Sequence, residues 1–188
     1  MHSSEYGSEE RAALLKIARN SIEYGLTHRR ALPISPEDYP EHLREERASF
    51  VTLKRHDALR GCVGGLAAYE PLVVDVSDHA YQAAFGDPRF PVVERHELAD
   101  LEIGISVLSR SEPLEFSSEQ DLVAQLRPGE DGLILEDGLY RGTFLPSVWE
   151  QLPEPGEFLR QLKQKAGLMP DYWSDSLRVE RYTTEHFV

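Results

Sequence analysis

Residues 48–65 read ASFVTLKRHDALRGCVGG and contain two runs of strand-forming residues. The first run covers residues 48–54, residues 55–57 are polar, and the second run covers residues 58–63. Apolar and β-branched residues on both sides of a short polar connection are typical of a β-hairpin. We therefore predict a hairpin with Cys62 at or just past its second strand.

A second hairpin is predicted from GLILEDGLYRGTFL, residues 132–145, because an Asp-Gly pair between two apolar runs is a strong turn signal. Both predicted hairpins carry an Arg-Gly pair in the second strand, Arg60-Gly61 in one and Arg141-Gly142 in the other. A predicted helix follows each hairpin. This repetition suggests two related lobes, each built from a strand hairpin and a helix.

The remaining elements follow from apolar periodicity and from helix start and stop signals. We predict helices at residues 8–27, 71–86, 118–126, 145–152 and 156–166, a short helical turn at 42–46, and strands at 101–109 and 176–186. Helices and hairpins without regular βαβ alternation favour an α+β (mixed α/β) fold over a doubly wound sheet. The length of 188 residues suits one compact domain, which we expect to cover residues 1–188.

The chain is acidic, with 33 Asp and Glu residues against 20 Lys and Arg residues and a formal net charge of −13. This charge repels phosphate backbones and anionic lipid surfaces, so general nucleic-acid binding is disfavoured. No apolar stretch approaches the roughly 18 residues that a membrane helix needs. The N-terminal residues also lack the pattern of a secretion signal. We therefore expect a cytoplasmic protein without a membrane segment.

Cys62 is the single cysteine, which excludes an internal disulfide and any multi-cysteine zinc or iron–sulfur site within one chain. The seven histidines show neither HxH nor HExxH spacing, so the sequence predicts no local metal site. Nothing in the spacing of the residues identifies a cofactor.

The segment LRGCVGG, residues 59–65, has three glycines within five residues, which indicates that something approaches the backbone closely. One candidate is a ligand held by the amides of Gly61 and Gly64, by the guanidinium of Arg60, and by Cys62 as a nucleophile. The alternative is a bulge or a packing contact, with Cys62 as a small buried apolar residue.

Two further places carry candidate ligand contacts. The proline-bracketed loop DPRFP, residues 87–91, presents Asp87 and Arg89, and the alternative is a helix-ending turn with an internal Asp–Arg bond. The second hairpin offers Arg141 and Thr143. His79 lies on the apolar side of its predicted helix, where it is either a base near Cys62 or a hydrogen-bonded core histidine.

Four separated motifs together resemble a known family. They are LRGCVGG, AAFGDPRFPVV, LEIGISVLS and DGLILEDGLYRGTFLPSVWEQLPEPGEFLRQLKQKAGL. Their order and spacing are similar to the AMMECR-type domain, named after the AMME syndrome candidate region and also called protein A of the AmmeMemoRadiSam system. The resemblance covers about residues 10–187, with Val63 where the family pattern usually has isoleucine.

The resemblance implies a mixed α/β fold with a larger and a smaller lobe facing each other across a cleft, and it places the Arg-Gly-Cys motif beside that cleft. It also implies association with a Memo-type protein, related to non-haem dioxygenases, and with a radical SAM protein. It does not imply a reaction. The family motif positions are Arg60, Gly61, Cys62, Gly64, Asp87, Arg89, Phe90, Arg141, Gly142, Thr143 and Pro146.

Three functional hypotheses remain open from the sequence. In the first, the chain is an enzyme in which Cys62 is a nucleophilic or redox-active thiol and Arg60 stabilises its thiolate and orients the substrate. In the second, it is a binding or adaptor module that captures a small anionic ligand and docks a partner protein. In the third, the Arg-Gly-Cys segment only packs the lobes together.

Overall fold

The computed structural model describes residues 5–188. The chain divides into two compact units, the first containing residues up to Leu108 together with Glu185–Val188, and the second containing Ser109–Thr184. Helices and two antiparallel four-stranded sheets make up the fold, so the predicted α+β class is confirmed.

The helices are α1 Ser8–His28, α2 Leu72–Phe85, α3 Glu119–Gln125 and α4 Pro155–Lys165. Short 3-10 helices lie at Pro36–Asp38, Glu41–Arg44, Arg95–Asp100 and Pro146–Glu150. The strands are β1 Ser49–Arg55, β2 Ala58–Gly64, β3 Leu101–Leu108, β4 Glu112–Pro113, β5 Gly132–Asp137, β6 Tyr140–Phe144, β7 Arg178–Tyr182 and β8 Thr184–Phe187.

The first unit is built on a sheet with strand order β2-β1-β3-β8, with β2 at one edge. Helices α1 and α2 pack on each other and on one face of this sheet, because both present buried apolar stripes at helical spacing. The core residues include Leu14, Ile17, Ile22, Val51, Leu53, Val73, Val76, Ala80, Ile103 and Ile105. The β1–β2 turn has positive φ at both His56 (50°) and Asp57 (63°), as a tight hairpin turn requires.

The second unit has a sheet with strand order β4-β7-β5-β6. Helix α4 covers it with Phe158, Leu159 and Leu162, which are buried against Leu133 and other residues of the second core. Ser118 begins α3, where its hydroxyl accepts a hydrogen bond from the Asp121 amide as the sequence predicts. Trp149 stacks on Phe158 with ring centroids 3.8 Å apart.

The structure corrects three details of the predicted elements. The strand predicted at 176–186 is two strands in different sheets, interrupted at Thr183, whose N–H bonds to the Ser109 hydroxyl and whose carbonyl accepts from the Ser109 N–H. The helix predicted at 145–152 is the shorter 3-10 helix Pro146–Glu150. The second hairpin turns at residues 138–139, since Asp137 pairs with Tyr140.

Among residues 5–188, no helix combines the length and the apolar character that crossing a membrane requires.

Candidate functional site

Cys62 lies on the edge strand β2, on the sheet face opposite the helices. Val63 packs against the core and Gly61 lies against α2, so the alternation of the strand directs Cys62 to the other face. Its partner across β1 is Thr52, and the Cys62 Sγ and Thr52 Oγ1 atoms are 3.2 Å apart. The thiol is half-buried. Cys62 is therefore a partly accessible thiol with a hydroxyl partner.

The glycines around Cys62 make room for protein atoms. A Cβ atom on Gly61 would lie 2.1 Å from the carbonyl oxygen of Ala83 in α2. A Cβ on Gly64 would lie 2.4 Å from the Phe50 ring and from the Ser49 carbonyl oxygen. The close approach that these glycines predict is thus made at these two positions by α2 and β1.

Asp87 and Arg89 bind the backbone of Cys62 along the free edge of β2. Asp87 Oδ2 accepts the Cys62 N–H at 2.9 Å, and Arg89 Nη2 donates to the Cys62 carbonyl oxygen at 3.3 Å. The two side chains also bond to each other, at 3.0 Å from Arg89 Nε and 2.7 Å from Nη2. Together they satisfy the donor and the acceptor that a neighbouring strand would satisfy.

Asp87 and Arg89 each shift the pKa of the other. Hydrogen bonds from Arg89, followed by the Cys62 N–H, hold the pKa of Asp87 well below its usual range. The hydrogen bond to Asp87 in turn raises the pKa of Arg89. The Arg89 side chain is 56% exposed, and its Nη1 group donates no hydrogen bond to any residue within 5–188. Arg89 is therefore a fixed guanidinium with two N–H groups still to offer.

Arg60 is occupied by a different set of partners. Its Nε and Nη2 atoms donate to the two carboxylate oxygens of Glu97, both at 2.9 Å. Its Nη1 donates to the Pro91 carbonyl at 2.8 Å and its Nη2 to the Val92 carbonyl at 3.2 Å. The side chain is only 12% exposed. Arg60 thus ties β2 to residues 91–97 and makes none of these bonds to the Cys62 sulfur.

Glu97 is the buried anchor of this clamp. Its side chain is 8% exposed and also pairs with Arg55 at 3.2 Å. The hydrogen bonds from Arg60 are the main reason that the pKa of Glu97 falls to about 2. Glu97 cannot be recognised from the sequence, because nothing in the segment RHELAD distinguishes this carboxylate from an exposed one.

His79 is held by the helix on which it lies. Its Nδ1 is 3.1 Å from Oδ2 of the buried Asp75, and the same oxygen accepts a hydrogen bond from Ser49 at 2.5 Å. Burial opposes the protonation of His79, but the hydrogen bond and charge of Asp75 outweigh it, so the pKa of His79 is raised. The ring lies beside Gly65 at the end of β2. His79 is a hydrogen-bonded, half-buried histidine whose ring partner is Asp75.

Arg141 and Thr143 belong to the second unit, in β6. Arg141 is 58% exposed and pairs with Glu136 at 2.9 Å, and Thr143 Oγ1 lies 3.3 Å from the Tyr182 hydroxyl. The structure therefore joins Cys62, Asp87 and Arg89 into one hydrogen-bonded group in the first unit, with Arg60 in the neighbouring clamp. Whether Arg141 and Thr143 act at the same site stays a prediction, as does the cleft implied by the family resemblance.

Within residues 5–188, no group of three or more His, Cys, Asp or Glu side chains is arranged to hold a metal ion.

Comparisons with known proteins agree in their assignment. Residues 15–187 match the AMMECR1 family. A protein of Methanothermobacter thermautotrophicus is 41% identical over 181 residues, which cover 95% of this chain and 94% of that protein. A protein of Thermococcus kodakarensis is 40% identical over 185 residues, covering 93% of this chain and 87% of its own length.

A solved structure has the same fold. The crystal structure of an uncharacterized protein from Pyrococcus horikoshii matches with a TM-score of 0.78 and 37% sequence identity, covering 92% of this chain and 88% of that chain. With this fold, these relatives and a family match over residues 15–187, the chain belongs to the AMMECR1 family.

Proposed function

We propose that this AMMECR1-family protein is a ligand-binding module whose site is formed by Arg89, Cys62 and Thr52 and takes a small anionic group. The observation that carries the proposal is the Arg89 guanidinium. It is fixed by Asp87 next to Cys62, is more than half exposed, and has a free Nη1 group. A guanidinium fixed in this way is suited to a carboxylate or phosphate group.

Arg89 would contribute to anion binding mainly through oriented hydrogen bonds and less through long-range charge attraction. Asp87 already balances its charge, and the chain as a whole carries −13, so long-range attraction of an anion is weak. An anion bound here gains hydrogen bonds from Nη1 in a fixed orientation, without the entropy loss of ordering a free arginine side chain. The Cys62 thiol and the Thr52 hydroxyl offer further polar contacts on the adjoining sheet face.

The contacts of Cys62 favour binding over turnover. Its sulfur is hydrogen-bonded to the hydroxyl of Thr52, a neutral group that does not take a proton from a thiol at neutral pH. The Nδ1 atom of His79 is committed to Asp75, and the Arg60 guanidinium is committed to Glu97 and to two carbonyls. His79 Nε2 stays available, but within residues 5–188 neither His79 nor Arg60 makes a hydrogen bond to the Cys62 sulfur, so the contacts that the enzyme hypothesis assigns to activating the thiol are not formed.

A binding experiment tests this proposal. A panel of mono- and dicarboxylates and inorganic phosphate is titrated into the full chain by calorimetry, with Arg89→Gln as the site variant. Arg160→Gln is the matched control, since Arg160 is similarly exposed but pairs with Glu157 in the second unit. We expect at least one anion to bind the wild type and the control but not Arg89→Gln. Equal binding by all three proteins would refute the proposal.

The second candidate function is a Cys62-dependent enzyme, which the half-exposed thiol and its Thr52 hydroxyl partner favour. A hydroxyl that donates to sulfur stabilises a thiolate, the nucleophilic form of cysteine. Genetic complementation separates the two functions. Loss of function in both Cys62→Ala and Cys62→Ser, with Arg89→Gln active, supports the enzyme. Function in both cysteine variants, with Arg89→Gln inactive, supports the binding module.

We also propose that the module acts with a Memo-type protein and a radical SAM protein, as the family resemblance implies. Purified partners of these two types from the same organism would be mixed with the full chain and analysed by size-exclusion chromatography. Co-elution with either partner supports the adaptor role, and separate elution of all three under every ligand condition contradicts it.

A further inference from the structure

We infer a second binding site in the second unit, independent of Cys62, that takes the arginine or lysine side chain of a peptide segment. The site, here called the Trp173 groove, is a cavity of about 470 Å³. Its lining includes Leu114, Glu115, Phe116, Trp173, Asp175 and Leu177. This volume lies within the range of ordinary ligand pockets, which is roughly 300–1,000 Å³.

The fold creates the groove by ending β4 early. This strand pairs with β7 at only two positions, and the Leu114 N–H then makes one more bond to the Val179 carbonyl. Beyond Leu114 the chain turns toward α3, where Gln125 donates to the Glu115 carbonyl and Ser117 donates to Asp121. A gap therefore opens between residues 115–117 and residues 173–175.

The groove has an apolar base and an aromatic wall. Leu114 and Leu177 line it and are almost completely buried. Phe116 and Trp173 meet edge to face, with ring centroids 5.6 Å apart. Lys163 Nζ lies 5.6 Å from the Trp173 ring centroid, but its charge is balanced by Glu119 at 2.8 Å. An alkyl chain can lie on this surface, and the indole also attracts a cation.

The charges around the groove favour a cation. Three carboxylates line it, those of Glu115, Asp175 and Glu180, against one guanidinium, that of Arg178. Glu115 and Asp175 are exposed, and neither makes an ion pair with any residue within 5–188. Glu180 accepts a hydrogen bond from Ser111. Two unpaired carboxylates at the rim of an aromatic groove complement an ammonium or guanidinium head on an apolar stem.

The position of the groove beside strand β7 favours a peptide as the source of this cation. The groove lies where the pairing of β4 with β7 stops, and residues 178–180 of β7 line it. A peptide segment can lay one basic side chain against the aromatic wall of Phe116 and Trp173 while its backbone follows β7.

The test uses the full chain and the tripeptides acetyl-Ala-Arg-Ala-amide and acetyl-Ala-Lys-Ala-amide, titrated at low salt. Acrylamide quenching of tryptophan fluorescence reports on Trp173, because Trp149 is only 3% exposed. We expect saturable protection of Trp173 by both peptides and none by acetyl-Ala-Glu-Ala-amide. Cys62→Ala and Arg89→Gln should bind the basic peptides as the wild type does, which separates this site from the proposed anion site.

Variants that remove a charged group from the groove should change its affinity for the basic peptides in opposite directions, depending on the sign of the charge removed. The double variant Glu115→Gln with Asp175→Asn should weaken peptide binding about fivefold, as expected for the loss of two exposed ion pairs. Arg178→Gln should strengthen it about twofold by removing the competing cation. Asp171→Asn is the matched control, because Asp171 is exposed nearby but does not line the groove.

Three outcomes overturn the inference. If neither basic peptide protects Trp173, or if the double variant binds them as tightly as the wild type, the groove is not a cation site. If n-propylguanidinium, a free alkylguanidinium with the same single charge, binds as tightly as the arginine tripeptide, then a peptide segment is not the occupant that the groove selects.

Discussion

The two arginines that flank Cys62 in space have different roles. Arg60 is nearly buried and uses three of its nitrogen atoms to bond Glu97 and the carbonyls of Pro91 and Val92. Arg89 is exposed and leaves one nitrogen atom free. Both arginines belong to motifs that the sequence singles out. The sequence does not show which of them has its donors already hydrogen-bonded within the fold, because the main partner of Arg60 is Glu97, which is 37 residues away.

Replacement of Arg60 by glutamine should lower the free energy of unfolding by about 3 kcal/mol, because it leaves a buried carboxylate without its main partner. Urea denaturation of Arg60→Gln measures the loss. Arg160→Gln removes an exposed ion pair and should change stability by less than about 1 kcal/mol. Equal, small effects for both variants would show that the Arg60 clamp does not stabilise the fold.

The clamp also makes the stability of the first unit depend on pH. The pKa of Glu97 is about 2 in the folded protein against 4.5 as its ordinary value, so its contribution is fully present above about pH 5 and is lost as the pH falls toward 2. Asp87 acts in the same direction. Urea midpoints between pH 5 and 2.5 should fall more steeply for the wild type than for Glu97→Gln. Parallel slopes would contradict this assignment.

Thr52, the hydroxyl partner of Cys62, was missed in the sequence for a specific reason. The tight His56-Asp57 turn places Arg55 opposite Ala58, and a simple count along the hairpin then places Thr52 opposite Gly61. An irregularity between Leu53 and Lys54 shifts the register by one residue. Such a bulge is set by packing across the sheet and leaves no clear pattern in the strand itself.

At the level of secondary structure, the two predicted hairpins and the helices predicted at 8–27, 71–86, 118–126 and 156–166 agree with the observed ones to within a few residues. Local signals explain this agreement, such as the Ser118 cap of α3 and the apolar stripes of α1 and α4. The break at Thr183 was not predicted, because residues 176–186 alternate as one strand would. Their division between two sheets depends on the bonds to Ser109, which is far away in sequence.

The two hairpins share a packing device that the repeated Arg-Gly pair indicated. In each hairpin the glycine after the arginine lets a helix approach the second strand, with Ala83 next to Gly61 and Ala166 next to Gly142. The arginines themselves differ, since Arg60 is nearly buried and Arg141 is exposed. The hairpins are thus alike in how they pack and unlike in what their polar side chains do.

Alanine substitutions at these glycines should rank by the space available. Gly61→Ala should destabilise most, by about 3 kcal/mol, because a Cβ atom 2.1 Å from a backbone oxygen forces α2 to move. Gly142→Ala should cost less, since its nearest atom is 2.9 Å away. Gly156→Ala is the control, with open space in α4, and should be neutral or stabilising by up to about 1 kcal/mol. Thermal denaturation checks the order, and a reversed order would contradict it.

At the scale of the whole molecule, the chain leaves the first unit after Leu108 and returns to it at Glu185. The returning segment is firmly anchored. Glu185 accepts hydrogen bonds from the Tyr6 N–H and from Arg11, and Phe187 lies in the first core. The sequence predicts that this segment is part of a strand, but it does not predict that the strand returns to the first sheet. That return is established only by the pairing of β8 with β3, which is distant in sequence.

Phe187→Ala should therefore destabilise the first unit, although the residue follows the second unit in sequence. Truncation of a buried phenylalanine costs about 3–5 kcal/mol. Hydrogen exchange should accelerate in α1 and β1–β3. Leu139→Ala is the control, because Leu139 is fully exposed and its truncation removes no packing. Unchanged exchange in α1 and β1–β3 of Phe187→Ala would refute the assignment of Phe187 to this core.

The way in which Asp87 and Arg89 bind the backbone of β2 also bears on solubility. An uncovered edge strand is a template on which strands of other molecules add, and β2 is a partly apolar edge strand with Leu59 43% exposed. Here the chain blocks that recruitment at Cys62 with two charged side chains of its own. Substitutions that break the Asp87–Arg89 pair should therefore increase the fraction of the protein that is insoluble on expression.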